Sequence, residues 1–177
     1  MSSSPSFSPV RLNHAVLFVT ELDRAVRFYT DTFGMEVIAR EPRANAAFLR
    51  LPRSGNHHDL GLFGIGAAGG PKHGPTVGLY HLAWQIDTID ELADARQALI
   101  DARAYSGESS HGATKSIYGA DPDGNEFEIM WMLPSDEWGV YANTAPIDHL
   151  HLAGEVERWS GVHTAGPFLG STGPSAV

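Results

Sequence analysis

The chain of 177 residues contains no cysteine. Disulfide bonds and thiolate metal ligands are therefore both excluded. No stretch approaches the roughly 20 apolar residues that a membrane-spanning helix needs. The start of the chain, residues 1–9, is rich in serine and proline and lacks the apolar core of a signal peptide. Together these absences predict a cytoplasmic protein.

Basic residues are also scarce, with 12 Lys and Arg against 21 Asp and Glu, which gives a net charge of −9. Nucleic-acid binding depends on cations that neutralise phosphates, so this balance argues against it. The balance also provides no basic patch for an anionic membrane surface. The length suits one compact domain or two small modules that share a core.

What the chain does contain is a faint internal repeat. Residues 12–19, Leu-Asn-His-Ala-Val-Leu-Phe-Val, align with residues 79–86, Leu-Tyr-His-Leu-Ala-Trp-Gln-Ile, at an offset of 67 residues. Each copy then continues into an amphipathic segment with helical spacing. Such self-similarity predicts two copies of one supersecondary unit.

The order of predicted elements is the same in both copies. A strand is followed by a helix and three further strands, so each module reads βαβββ and the fold class is α+β. Two such modules would each curl four strands into a half-barrel, and together they would enclose a cleft. The predicted divisions of the chain are a disordered N-terminal segment (1–9), a first module (10–66), a linker (67–77), a second module (78–133), and a C-terminal extension with a flexible tail (134–177).

Three residues in strand-like segments form a candidate metal site. His14 and His81 occupy the same register of the two repeats, and Glu128 lies in the last predicted strand of the second module. Two imidazoles and one carboxylate, with coordination positions left open, are the ligand set of non-haem Fe(II) oxygenases. Glu126 and Glu128 share one face of their strand, so periodicity alone leaves open which of them points inward.

Four segments resemble the vicinal oxygen chelate superfamily, which includes glyoxalases, bleomycin resistance proteins and dioxygenases. The resemblance covers about residues 10–133 and is greatest to small, single-domain type I extradiol catechol dioxygenases. The segments are Leu12-Asn13-His14, the run from Asn56 to Leu62 with its His-His pair, Tyr80-His81-Leu82, and the run from Lys115 through Asp121-Pro122-Asp123-Gly124 to Glu128. The resemblance implies paired βαβββ modules around a metal, and it selects Glu128 as the ligand.

It also implies a reaction and further site residues. Fe(II), with Mn(II) as the less favoured ion, would be held by His14, His81 and Glu128, and O2 would be the co-substrate. His58 would be the acid/base, Tyr118 would contact the substrate, and His111 would be a second active-site histidine. His57 is expected to point away from His58, because neighbours in a strand face opposite sides. Other residues are expected to lack a catalytic role: Asp123 and Gly124 in a turn, and the solvent-facing His73, His149, His151 and His163.

The substrate would be a monocyclic catechol opened to a semialdehyde, and L-DOPA is the leading candidate. Arg50 or Arg53 is considered as a partner for a substrate carboxylate, and Trp138 and Tyr141 as a cover for the cleft. A homo-oligomer stays open, because this superfamily pairs its modules within one chain or between chains.

Three other activities also stay open. A glyoxalase-like isomerase would need a fourth ligand, but the offset places Gly61 opposite Glu128, with only Asp59 nearby. A fosfomycin-resistance-like transferase would use the same three ligands together with a cationic pocket. A metal-free bleomycin-type binding protein would leave the ligand set unused.

Overall fold

A computed structural model describes residues 11–70 and 77–166 of the chain. The predictions for the N-terminal segment, for His73 and for residues 167–177 of the tail lie outside the described residues. The helices and strands are β1 (Ala15–Val19), α1 (Leu22–Phe33), β2 (Glu36–Glu41), β3 (Ala46–Arg50), β4 (Leu60–Gly64), β5 (His81–Gln85), α2 (Ile89–Asp101), β6 (Tyr105–Ser110), β7 (Thr114–Ala120), β8 (Glu126–Met132) and α3 (Leu152–Trp159).

The strands form two separate mixed sheets of four strands with the same topology. Their orders are β1-β4-β3-β2 and β5-β8-β7-β6. In each sheet the first and last strands of the module pair in parallel, and the other pairs are antiparallel. Neither sheet closes into a barrel. The predicted α+β fold with repeated βαβββ modules is therefore confirmed.

Local sequence explains where each long helix begins and ends. The helix α1 buries Ala25, Val26 and Tyr29 on one face, as the apolar spacing predicts. It ends at Gly34, whose φ of 63° allows its N–H to bond the carbonyl of Thr30. The helix α2 begins after Thr88, whose hydroxyl accepts the N–H of Glu91.

Each helix covers one face of its own sheet, and the two cores meet. Phe28 and Phe33 of α1 also pack against the core of the second module. Trp84 of β5 packs against the core of the first, and the ring centroids of Phe33 and Phe127 lie 5.0 Å apart. The opposite face of each sheet is the one left for a site.

The turn Asp121-Pro122-Asp123-Gly124 also joins the modules. The carboxylate of Asp121 accepts the backbone N–H groups of Asp123 and Asn125, and Gly124 has a φ of 82°. Asp123 then reaches the first module, where it pairs with Arg24 at 2.6 Å. The turn chemistry predicted from sequence therefore has a second use as an intermodule clamp.

The C-terminal extension lies against the second module. Lys115 of β7, which is buried, pairs with Glu155 of α3 at 2.9 Å. After α3, the carboxylates of Asp87 and Asp90 hold residues 160–165 through backbone and side-chain bonds. None of the helices within residues 11–70 and 77–166 is long and apolar enough to cross a membrane.

Candidate active site

Two of the three predicted ligands meet in the second module. His81 begins β5 and Glu128 lies in the middle of β8, the neighbouring parallel strand. The Nε2 atom of His81 lies 3.0 Å from Oε2 of Glu128, and their side chains are 27% and 12% exposed. Phe127 and Ile129 point into the core, so alternation along β8 places Glu128 on the open face of the sheet.

A serine and a tyrosine from β7 flank this pair. The hydroxyl of Ser116 donates to Oε1 of Glu128 at 2.5 Å. Tyr118 is the direct cross-strand partner of Glu128, and its ring centroid lies 6.1 Å from that of His81. Ser116 was not selected from the sequence, although it lies two residues from Tyr118 and so shares its strand face.

A polar triangle adjoins Tyr118. The Tyr118 hydroxyl lies 2.7 Å from Nε2 of His111. The hydroxyl of Ser109 lies 3.0 Å from the Tyr118 hydroxyl and 2.9 Å from Nε2 of His111. The other ring nitrogen of His111, Nδ1, lies 2.7 Å from the carbonyl oxygen of Pro146. The structure therefore brings two predicted site residues into direct contact, next to the His81–Glu128 pair.

The remaining predicted residues form a second group in the first module. The rings of His14 and His58 lie 4.4 Å apart, and Nδ1 of His14 lies 3.0 Å from the side-chain oxygen of Asn13. A donor bond from Nδ1 to Asn13 would leave Nε2 of His14 free to bind a metal. Burial lowers the pKa of His58, and the nearby charges of His14 and His57 lower it further.

The expectation for His57 is wrong. Its Nδ1 lies 3.1 Å from Nδ1 of His58, so the two rings are neighbours. Strand alternation does not apply, because β4 starts only at Leu60 and both histidines lie in the preceding loop.

The two groups do not merge within one chain. Across residues 11–70 and 77–166, no group of three or more His, Asp or Glu side chains is arranged so that it could hold a metal ion. The chemistry of His81 and Glu128 suits a divalent ion, but His14 does not join them. The described part of a single chain therefore does not supply the full predicted ligand set.

A family model for the Glyoxalase/Bleomycin resistance protein/Dioxygenase superfamily matches residues 11–129. The chain belongs to this superfamily. Among curated relatives, biphenyl-2,3-diol 1,2-dioxygenase 3 from Rhodococcus globerulus is 36% identical over 68% of the chain and 62% of its own length. A lactoylglutathione lyase from Oryza sativa is 29% identical over 75% of the chain and 47% of its own length. The chain thus spans less than two thirds of either relative.

Solved structures share the fold of this superfamily. A glyoxalase/dioxygenase from Nostoc punctiforme superposes with a TM-score of 0.61 at 19% identity, over 75% of the chain and 99% of that structure. The fosfomycin resistance protein FosX from Listeria monocytogenes superposes with a TM-score of 0.56 at 19% identity, over 74% and 99%. At these identities the likeness concerns the fold alone.

Three further side chains that were considered for the site from the sequence make structural contacts. The carboxylate of Asp59 is buried and accepts bonds from Leu51, Ser54 and Asn56, so it shapes the loop before β4. Arg50 pairs with Glu36 at 2.9 Å, and Arg53 pairs with Glu91 at 2.8 Å. Each of the two arginines considered for a substrate carboxylate therefore already faces an acidic partner.

The predicted solvent-facing histidines have different surroundings. His149 and His151 are exposed. His163 is also largely exposed, but it contacts Asp87 at 2.6 Å. This contact raises the pKa of His163 and lowers that of Asp87, so His163 fastens the chain after α3.

Proposed function

We propose that the chain is a non-haem metal-dependent extradiol dioxygenase that opens the ring of a monocyclic catechol with O2 to a semialdehyde. The observation that carries this proposal is the 3.0 Å contact of His81 with Glu128, beside the hydrogen-bonded Tyr118 and His111. The similarity to a biphenyl-2,3-diol dioxygenase supports it. Fe(II) is the proposed ion and Mn(II) the alternative, because both accept imidazole and carboxylate ligands.

In this proposal the polar side chains near the ligands handle the substrate. Tyr118 contacts a substrate oxygen, and its hydroxyl is already oriented by His111 and Ser109. His58 takes and returns a substrate proton, and it lies beside His14. Ser116 holds Glu128 in place through its hydroxyl.

We further propose that a second copy of the chain brings His14 to the His81–Glu128 pair. His14 directly precedes β1, in which Val16 and Phe18 share the face turned away from the core. The last two side chains are 51% and 67% exposed, which is high for apolar residues in a strand. Burying this face against the open face of the second module from another copy would remove apolar surface from water. It would also complete the ligand set.

The activity is tested with protein loaded anaerobically with Fe(II). Catechol, biphenyl-2,3-diol and L-DOPA are added, air is admitted, and oxygen uptake and visible absorbance are recorded. Uptake with a yellow product supports extradiol cleavage, and the fastest substrate identifies the substrate class. L-DOPA is the leading specific proposal.

Two other outcomes would move the assignment. Bound metal without oxygen uptake would favour an isomerase or transferase, in line with the similarity to a lactoylglutathione lyase and the fold shared with FosX. Failure to bind any divalent metal would favour a sequestering protein.

A further inference from the structure

The C-terminal extension makes a specific contact with His111. After β8, residues 138–150 run back across the turn between β6 and β7; this stretch is called the strap below. At its far end the backbones of Ser110 and Asp148 form a bridge, with each N–H bonded to the other's carbonyl at 2.9 Å. Two residues before Asp148, the carbonyl oxygen of Pro146 lies 2.7 Å from Nδ1 of His111.

The strap is fixed independently at other points. The indole N–H of Trp138 donates to the carbonyl of Leu133 at 2.8 Å. The ring of Tyr141 lies so close to Gly112 that a Cβ at that position would fall 2.2 Å from a ring carbon. Leu150, at the end of the strap, is 1% exposed. The carbonyl of Pro146 is therefore held against His111 by several contacts.

The chemistry of this contact determines which nitrogen of His111 carries the proton. A backbone carbonyl can only accept a hydrogen bond, and Pro146 has no N–H of its own. Nδ1 of His111 must therefore donate. A neutral imidazole then has a bare Nε2, which can only accept.

The hydrogen bond between His111 and Tyr118 is thereby given a direction. Nε2 of His111 has one lone pair and two hydroxyls within reach, and the nearer one, that of Tyr118 at 2.7 Å rather than that of Ser109 at 2.9 Å, is taken as its donor. The hydroxyl of Ser109 is then able to donate to the oxygen of Tyr118, 3.0 Å away. The oxygen of Tyr118 keeps a second lone pair for a further donor. Tyr118 lies directly across the sheet from Glu128, so this donor would come from the site.

We propose that the strap is a positioning segment that selects the Nδ1–H form of neutral His111 and so makes Tyr118 a hydrogen-bond acceptor toward the site. Pro146 is the positioning residue, and it acts through its backbone. If the proposed function holds, the oxygen of Tyr118 would accept a hydrogen bond from a substrate hydroxyl. The form of His111 itself does not depend on the reaction.

The test is the tautomer of His111 in the full chain without metal, measured by long-range ¹H–¹⁵N correlation on protein with labelled histidine. The unchanged chain should show the Nδ1–H form. Asp148→Pro removes the N–H that bonds Ser110, so it should release the strap and let the Nε2–H form appear. Asp148→Ala keeps that N–H and is the matched control, which should retain the original form.

A second variant covers the case in which Asp148→Pro fails to fold. Pro146→Gly keeps the carbonyl but frees the backbone, so it should also produce a mixture of the two forms. An Nε2–H form in the unchanged chain would overturn the proposal. So would an unaltered Nδ1–H form in variants whose strap amides exchange faster with solvent. Neither of these tautomer results affects oxygen uptake by the unchanged chain. The proposal for the strap and the proposed dioxygenase function can therefore fail independently of each other.

Discussion

Two carboxylates on one strand face have very different surroundings. Glu126 begins β8 and is exposed, whereas Glu128 is 12% exposed and contacts both His81 and Ser116. A partly buried carboxylate of this kind is favourable only with partners, because an unpaired charge there would lose hydration. Glu128 thus has the partners that Glu126 lacks in the part of the chain that the structure describes.

The pair of glutamates provides a matched test of the proposed ligand. Glu128→Gln should weaken Fe(II) and Mn(II) binding by about 100-fold or more, because even changes to residues behind the ligands commonly cost 10–100-fold. Glu126→Gln should leave metal affinity unchanged. Calorimetric titration of both variants measures this, with thermal unfolding as the check on folding. Equal affinities in the two variants would remove Glu128 from the ligand set.

At the scale of elements, the sequence predicts the strands better than their ends. Alternation along β8 predicts correctly that Phe127 and Ile129 lie on the core face. The same reasoning fails for His57 and His58, because the buried carboxylate of Asp59 holds the preceding residues in a loop. Side-chain hydrogen bonds of this kind compete with strand pairing, and the alternation of apolar and polar residues does not predict them.

The segment after α3 is expected to loosen as the pH rises. Its contact with Asp87 raises the pKa of His163 above the ordinary value of 6.5 and lowers the pKa of Asp87 below 3.8. The stabilisation that charged His163 gives to this contact is complete below about pH 6.5, and it is lost as the pH rises through the raised pKa of His163. The carboxylate contribution is lost only as the pH falls through the lowered pKa. The attachment should therefore be strongest between about pH 4 and 6.5.

Hydrogen exchange measures this attachment. Protection factors of the Thr164 and Ala165 amides, which already correct for intrinsic exchange, should fall by about two- to fivefold between pH 6 and 9. The fall stays small because these amides bond the Asp87 carboxylate directly. His163→Gln should remove the pH dependence. A fall of the same size in that variant would mean that another group controls the segment.

At the scale of the whole molecule, the two sheets share one strand order, and the 67-residue repeat predicts that the chain contains two copies of one βαβββ module. It does so because each module must bury one sheet face under its own helix, which the apolar pattern encodes locally. The assembly of the site is not encoded in that way. His14 and His81 occupy equivalent places in the repeat and Glu128 lies in the last strand of the second module, and nothing in this pattern says whether His14 serves the second module of its own chain. The structure places His81 against Glu128, but within residues 11–70 and 77–166 His14 does not join them, although intermodule contacts such as Tyr29 with Asp121 are well formed.

Mixing two defective variants decides whether copies of the chain share a site. His14→Ala and Glu128→Gln should each lose tight metal binding. If His14 serves the His81–Glu128 pair of a second copy, a dimer with one chain of each kind has one intact site and one doubly defective site. Random remixing in a dimer should then restore about a quarter of the wild-type metal sites. His81→Ala mixed with Glu128→Gln is the control, because both lesions lie in the same module and every site stays defective. If His14 instead joins the pair within its own chain, neither mixture recovers any tight metal binding, since every chain carries a lesion in its own site.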